Sequence, residues 1–428
     1  MRVLWFCNFM LPQGAEVLGL PKTNYGGWMA ALFDSLTRMN PDSEFCIVSA
    51  HEKAIRKTVG KVTYVTFRGP KFASFDEVVP REICLGIKSI VEGFLPDVIH
   101  INGTESYYPL LSNDILAGKP SLVSLQGIIN ACYPFYSGSL SYLELKPFGN
   151  PIRRALFRNG IFEAQQEWQD ERARQERAAI SRHRYFAGRT KWDEIWLQSM
   201  NSSAEYFHLD EVMRPEFYST RRSALTVRPH TIYCSAAASY PLKGFHWLLR
   251  AVAMILPRFP DLQIRVADSK VALSPHGGLM RMLRDQDYHA YLRSLILSLG
   301  LADNVVALPA LDAACVVREL EMAELFCLPS LCENSPNSLA EAMLQGVPSI
   351  ASNVGGVPSM IEDLHSGVLC PPADPAPLAA ALAMLFEDHG LAGEISTNAR
   401  ASALFRHDPE KVARNVWEAY VIIAESTH

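Results

Sequence analysis

The sequence predicts an α/β protein of two domains, each built on a parallel sheet covered by helices on both faces. Three observations carry this. Short β-rich apolar runs alternate with longer stretches that are apolar at helical spacing. At 428 residues the chain is about two to three domains long. The strands on offer are too many for one ordinary sheet. Composition agrees: 49% hydrophobic and 20% charged is ordinary for a soluble globular protein. A net charge of −5 gives no reason to expect nucleic acid. No uninterrupted apolar run approaches the roughly 20 residues of a membrane span.

The elements follow in chain order. MRVLWFCNFMLPQG has one Arg before a short apolar run. It reads as a first buried strand rather than a signal peptide, lacking a basic leader and a small-residue cleavage site. RVLWF, EFCIVSA, PDVIHIN and PSLVSLQG are strands of the first half; TIYCSAAA, LQIRVAD, VVALP, AELFCLP, PSIASN and GVLCPP are strands of the second. GWMAALFDSLTRM and FHWLLRAVAMIL are helices between them. Pro215, Pro229 and weak periodicity mark a linker. The expected organisation is therefore 1–206, linker 207–228, second domain 229–408, and a closing helix 409–428 with Val412, Val416, Tyr420 and Ile423 along one stripe. No repeat of 20 to 50 residues is present. The nine cysteines are odd in number, scattered and never CxxC, which suits reduced buried thiols of a cytosolic protein.

The stretch 146–191 differs from the rest. Arg153, Arg154, Arg158, Arg172, Arg174 and Arg177 interleave with Phe157 and Phe162. One reading is a solvated helix balanced by Glu163, Glu167, Asp170, Glu171 and Glu176. The other is a docking face for an anionic or lipid-linked acceptor, with peripheral contact at the inner face of a membrane.

The most informative stretch is LPSLCENSPNSLAEAMLQGVPSIASNVGGVP. Within ENSPNSLAEAM, Ser335 is expected as the N-cap and Pro336 at the first helical position. The N–H groups of Asn337, Ser338 and Leu339 then face out of the helix end, where they and the helix dipole form an anion site. AELFCLP supplies the preceding strand, and ligands of open α/β sheets bind at that carboxyl edge. Glu341 lies inside the helix, where a carboxylate can accept from two vicinal hydroxyls, as on a ribose. Glu333, in the loop with Asn334, can meet hydroxyls beyond the phosphates. The spacing suits ribose, diphosphate, then hexose. Upstream, YPLKGFHWLLRAV sets Lys243 and Gly244 between a strand and a helix, where a lysine holds phosphate as a point charge. NYGGWMAALFDSL sets Gly26 and Gly27 at a helix start, allowing close backbone approach.

Together these features resemble the retaining nucleotide-sugar glycosyltransferases of family 4, with the GT-B fold: two Rossmann-like domains facing across a cleft and a C-terminal helix crossing back to the first. The resemblance covers nearly the whole chain and is strongest from Ile232 to Leu382. It implies that Glu333 and Glu341 are the family's motif glutamates, Lys243 the diphosphate lysine, and Gly26–Gly27 the N-terminal glycine loop. It implies that the second domain holds a nucleoside-diphosphate sugar and that the first faces a glycan or lipid-linked acceptor. Asn102, Thr104, Gln126 and Arg189 are the expected acceptor-side residues. Two departures stand out. Ala237 and Ala238 occupy places where an Arg is common, and Asn102 and Gln126 stand where histidines are frequent. Arg189 or Lys191 is the candidate replacement charge.

The resemblance implies retention by same-face attack, with Glu333 positioning sugar hydroxyls and no protein nucleophile. No cofactor and no metal are expected. The DxD of Asp285 and Asp287 precedes a helical pattern and reads as capping. The expected setting is cytosolic polysaccharide or glycoconjugate assembly. Alternatives are an epimerase or inverting transferase of the same fold, or a non-catalytic partner in a transferase complex.

Overall fold

The computed structural model describes every residue except 22–25, 71–77, 150–159, 221, 224, 236, 274–286 and 427–428. Packing divides the chain into two units. The first comprises Met1–Ala131, Gln169–Arg214 and Arg406–His428; the second comprises Cys132–Trp168 and Pro215–Phe405.

The first unit holds β1 (Arg2–Cys7), β2 (Glu44–His51), β3 (Ile55–Val59), β4 (Val62–Arg68), β5 (Val98–Asn102), β6 (Ser121–Ser124), β7 (Tyr185–Gly188) and β8 (Glu205–His208), in the order β3-β4-β2-β1-β5-β6-β7-β8. All neighbours are parallel except the β3–β4 hairpin. The period of two in β1 splits its side chains between two cores. Val3, Trp5 and Cys7 pack with Leu32 and Leu36 of helix Gly27–Met39 and with Val412, Val416, Tyr420 and Ile423 of the closing helix Pro409–Glu425. Leu4 and Phe6 pack with Ile87 and Val91 of helix Arg81–Phe94. The Tyr420 hydroxyl fastens that closing helix. It accepts from Trp5 Nε1 at 3.0 Å and meets His100 Nδ1 at 2.5 Å, while His100 Nε2 meets Ser124 Oγ at 2.7 Å. Burial lowers the His100 pKa to about 3, so the ring stays neutral and offers one donor and one acceptor to these two hydroxyls.

The second unit holds β9 (Thr231–Cys234), β10 (Gln263–Val266), β11 (Val305–Ala307), β12 (Leu325–Leu328), β13 (Ser349–Ser352) and β14 (Val368–Cys370), in the order β11-β10-β9-β12-β13-β14, all parallel. Ile232 and Cys234 pack against Phe245, Leu248 and Val252 of helix Phe245–Ile255.

The division departs from the expected boundaries. Residues 132–168, assigned to the first domain by position in sequence, pack with the second unit, where Leu140, Leu145 and Ile161 join its core. The Gly138 carbonyl accepts from His246 Nε2 at 3.0 Å and Trp247 Nε1 at 3.1 Å. β3, β4 and β8 are further strands that the apolar pattern did not single out. In the Arg-rich stretch, Arg153, Arg154, Phe157 and Arg158 lie outside the described residues. Glu163, Glu167, Asp170 and Glu171 are exposed, as a solvated face requires, but Glu176 is not part of that balance: it is fully buried. Its Oε1 accepts from Thr104 Oγ1 and the Ile129 N–H, and its Oε2 from the N–H and Nδ2 of Asn130. Asp285 is outside the described residues, while Asp287 opens helix Asp287–Ser298. Among the described residues no helix is long and apolar enough to cross a membrane, and no three His, Cys, Asp or Glu side chains group to hold a metal ion.

Candidate functional site in the second unit

Two strand-to-helix turns at the carboxyl edge of the second sheet build the site. After β9 the chain forms a 3₁₀ turn, Pro241–Lys243, and turns through Gly244 at φ 71° into helix Phe245–Ile255. After β12 it runs through Pro329–Pro336 into helix Asn337–Gln345. The turns are tied together: the Leu331 N–H donates to the Leu242 carbonyl at 2.8 Å. Gly244 is required twice over. Its backbone is left-handed, and a Cβ there would lie 1.8 Å from the Pro329 carbonyl oxygen. Gly355, at φ 54°, does the same for the second turn, since its Cβ would fall 1.9 Å from the Glu333 carbonyl oxygen. That carbonyl accepts from the Gly356 N–H at 3.0 Å. The KG pair and the NVGG run are therefore the seats of the Glu333 loop.

This packing brings Lys243 and Glu333 together. Lys243 Nζ donates to Glu333 Oε1 at 2.6 Å, and Ser330 Oγ donates to the same oxygen at 2.7 Å. The side chains are 24% and 10% exposed. Burial would lower the Lys243 pKa, but the Glu333 carboxylate, with Tyr240, outweighs it and holds the ammonium above its ordinary range. The ammonium also stands 5.8 Å from the Tyr240 ring centre. Lysine carries three donors, so one bond to Glu333 leaves capacity for a further anion. Ser330 and Tyr240 were not singled out from the sequence; the LPS preceding the glutamate loop was the available signal.

The helix start differs from expectation. Pro336 is the N-cap, with extended backbone at ψ 115° and no side-chain cap, and the helix begins at Asn337. Ser335 turns its hydroxyl toward Met360 Sδ at 3.6 Å and does not cap. The Leu339 N–H is engaged by the Pro336 carbonyl at 3.0 Å, so the outward donors narrow to Asn337 and Ser338. Asn334 is buried beside them, and Asn337 Oδ1 is buried without a hydrogen-bond partner. Glu341 is 8% exposed rather than on the surface, and its charge bears on Tyr233 of β9. Ala237 and Ala238 are buried in the apolar core, so no cation stands at those places.

The other predicted residues lie in the first unit. Gly26, at φ 74°, caps helix Gly27–Met39; a Cβ there would meet the Phe9 ring at 2.1 Å, and one on Gly27 would meet Arg214 Cδ at 2.6 Å. Asn102 ends β5, donates from Nδ2 to the Phe6 carbonyl and leaves Oδ1 buried without a partner. Thr104 is committed to Glu176. Arg189 is 5% exposed and its charge is answered within the unit: Nη2 lies 3.0 Å from Glu211 Oε1 and donates to Gln126 Oε1 at 3.0 Å. That commitment counts against Arg189 as a free phosphate partner. Glu105, absent from the sequence reading, belongs here too: burial first, then Glu176, raise its carboxyl to about 7.

Solved structures of similar fold include sucrose-phosphate synthase from Thermosynechococcus elongatus, covering 100% of both chains at TM-score 0.69 and 15% identity. Anabaena HepE in complex with UDP-glucose covers 98% of this chain and 99% of its own at TM-score 0.63 and 15% identity. The fold is GT-B. Residues 220–402 match the family model Glycosyl transferases group 1. Curated relatives include D-inositol 3-phosphate glycosyltransferases of Streptomyces bingchenggensis, 32% identical over 159 residues, and of a Nocardioides species, 30% identical over 217 residues. These matches take in 37% and 49% of this chain, and the chain spans 33% and 45% of the length of the two relatives.

Proposed function

We propose that the protein is a retaining glycosyltransferase of family 4 type, moving a sugar from a nucleoside-diphosphate donor to a hydroxyl of a glycan or lipid-linked acceptor in polysaccharide or glycoconjugate assembly. The observation that carries this reading is the meeting of Lys243 and Glu333 at a carboxyl sheet edge, beside a helix start without a side-chain cap. In it, the diphosphate lies against the Asn337 and Ser338 N–H groups and the spare donors of Lys243. Glu341 accepts from the ribose, and Glu333 orients sugar hydroxyls. Negative charge grows on the leaving phosphate as the glycosidic bond breaks, and donors already aimed at it lower the barrier. The acceptor hydroxyl attacks from the same face and passes its proton to the leaving phosphate, so the protein need supply no nucleophile. The phosphate charge is met without a metal ion.

The test is incubation with a panel of nucleotide-sugars, UDP-glucose first because HepE holds it, with and without EDTA. Slow hydrolysis of one donor with retained anomeric configuration, unaffected by chelator, is the expected result. A freed 2-epimer would replace the reading with an epimerase, inverted product with an inverting transferase, and silence across the panel with a non-catalytic partner. Turnover lost in EDTA and restored by Mn²⁺ would overturn the metal-free part.

A further inference from the structure

The nine cysteines are not alike. Cys7, Cys46, Cys234, Cys327 and Cys370 are buried in the cores, where burial pushes their thiols up, Cys46 to about 12 and Cys370 to about 11. Cys132 and Cys332 are different. Both are thiols of the second unit with no disulfide between them, and their sulfurs stand 2.9 Å apart although 200 residues separate them. That is well inside the roughly 4 Å of ordinary heavy-atom contact, and within an ångström of the ~2.05 Å of a disulfide. Cys132 is partly exposed, at the end of the short helix Ile129–Cys132; Cys332 is 4% exposed and immediately precedes Glu333. The Lys243 ammonium interacts electrostatically with Cys132 as well as with Glu333. An ammonium beside a thiol favours thiolate, the nucleophilic form.

We propose that Cys132 and Cys332 are a modification site, a dithiol that a hydroperoxide converts to a reversible disulfide, and that closing it disturbs the Glu333 loop. The Cys132 thiolate attacks one peroxide oxygen, the O–O bond breaks, and a sulfenic acid and water form. The Cys332 thiol then attacks that sulfur and displaces the second water. In sum, two thiols and one hydrogen peroxide give one disulfide and two waters. The loop holding Cys332 is anchored at Leu331 and at the Glu333 carbonyl, so drawing its sulfur toward Cys132 strains the position of the Glu333 side chain. Misplacement by 1 Å can cost about 10²-fold in rate.

The test uses the full chain, reduced, desalted, titrated with hydrogen peroxide, blocked with N-ethylmaleimide and mapped by mass spectrometry without reductant. The expected product is a peptide pair joined through Cys132 and Cys332, lighter than the two thiols by two hydrogens and lost on adding dithiothreitol. Cys132→Ser should leave Cys332 alkylated at the same dose. Both thiols still alkylated at a peroxide dose that oxidises Cys315, or each oxidised without a link, would overturn the site; the wild-type map decides this even if the variant fails to fold. The second arm, which rests on the proposed transferase reading, is donor hydrolysis: a fall of at least about tenfold on oxidation, reversed by dithiothreitol and absent in Cys132→Ser. A linked but fully active protein would overturn the coupling to Glu333. Absence of hydrolysis in reduced protein would count against the transferase reading alone, since the mass map does not depend on it.

Discussion

Each unit sets a basic side chain on a glutamate at the carboxyl edge of its sheet, and the two pairs behave differently. In the first unit Arg189 and Glu211 have side chains 6% and 3% exposed, and Arg189 also spends donors on Gln126. In the second, Lys243 and Glu333 are 24% and 10% exposed, held by glycine-seated turns, with lysine donors to spare. A sealed pair costs stability when one member is removed, because an uncompensated charge stays buried. A pair open on one side can exchange partners during a reaction. Burial alone therefore does not mark a site; burial with unused bonding capacity does.

Four expected outcomes sharpen the contrast. Arg189→Ala should lower stability by about 3–5 kcal/mol, because the buried Glu211 loses the cation paired with it. Denaturant unfolding measures it, and a loss below about 1 kcal/mol would show the pair to be no tighter than a surface one. Lys243→Ala should fall by about 10²–10³ in kcat with a smaller change in KM. Near-normal kcat would mean that the phosphate lies elsewhere. Glu341→Ala should weaken nucleotide affinity by about 1.5–3 kcal/mol, roughly tenfold or more, read by calorimetric titration. Unchanged affinity would remove Glu341 from the ribose.

The smallest effect is on pH dependence. Burial raises the Glu211 carboxyl to about 7, against the lowering influence of Arg189. The folded protein thus holds a proton between about pH 4.5 and 7 that the unfolded chain has released, so this group's stabilisation is full below about 4.5 and fades as pH rises to 7. Glu211→Gln should flatten that fall in a pH series of unfolding free energies, and an unchanged slope would assign it to other groups, Glu105 first.

The doubly covered sheets were legible in the sequence because buried parallel strands read as apolar runs: EFCIVSA and PDVIHIN need little else. β3 was not, since IRKTV is nearly all exposed at a sheet edge and owes its place to pairing with β4. Residues 132–168 carry no local mark of the unit they join; a carbonyl at Gly138 meeting His246 and Trp247 decides it. The N-cap slipped by one residue because Pro336 keeps an extended ψ and offers only its carbonyl, while Ser335 faces Met360. The glutamates and the KG pair were visible as spacing. Their meeting depends on two glycines whose contacts lie 85 and 22 residues away in sequence, Pro329 for Gly244 and Glu333 for Gly355.

Residues 1–131 and 406–428 both belong to the first unit, so its sheet is begun before the second unit and covered after it. Domains usually complete in the order they leave the ribosome, at about 5–20 residues per second. Here β1 and β5 are made well before helix Pro409–Glu425, whose Tyr420 closes over Trp5 and His100. Every residue of the second unit has been synthesised by Phe405. A chain halted just beyond that point would hold the whole second unit and an unfinished first one, with the Trp5 face of its sheet uncovered. Helix Pro409–Glu425 thus decides when the first unit's core can close.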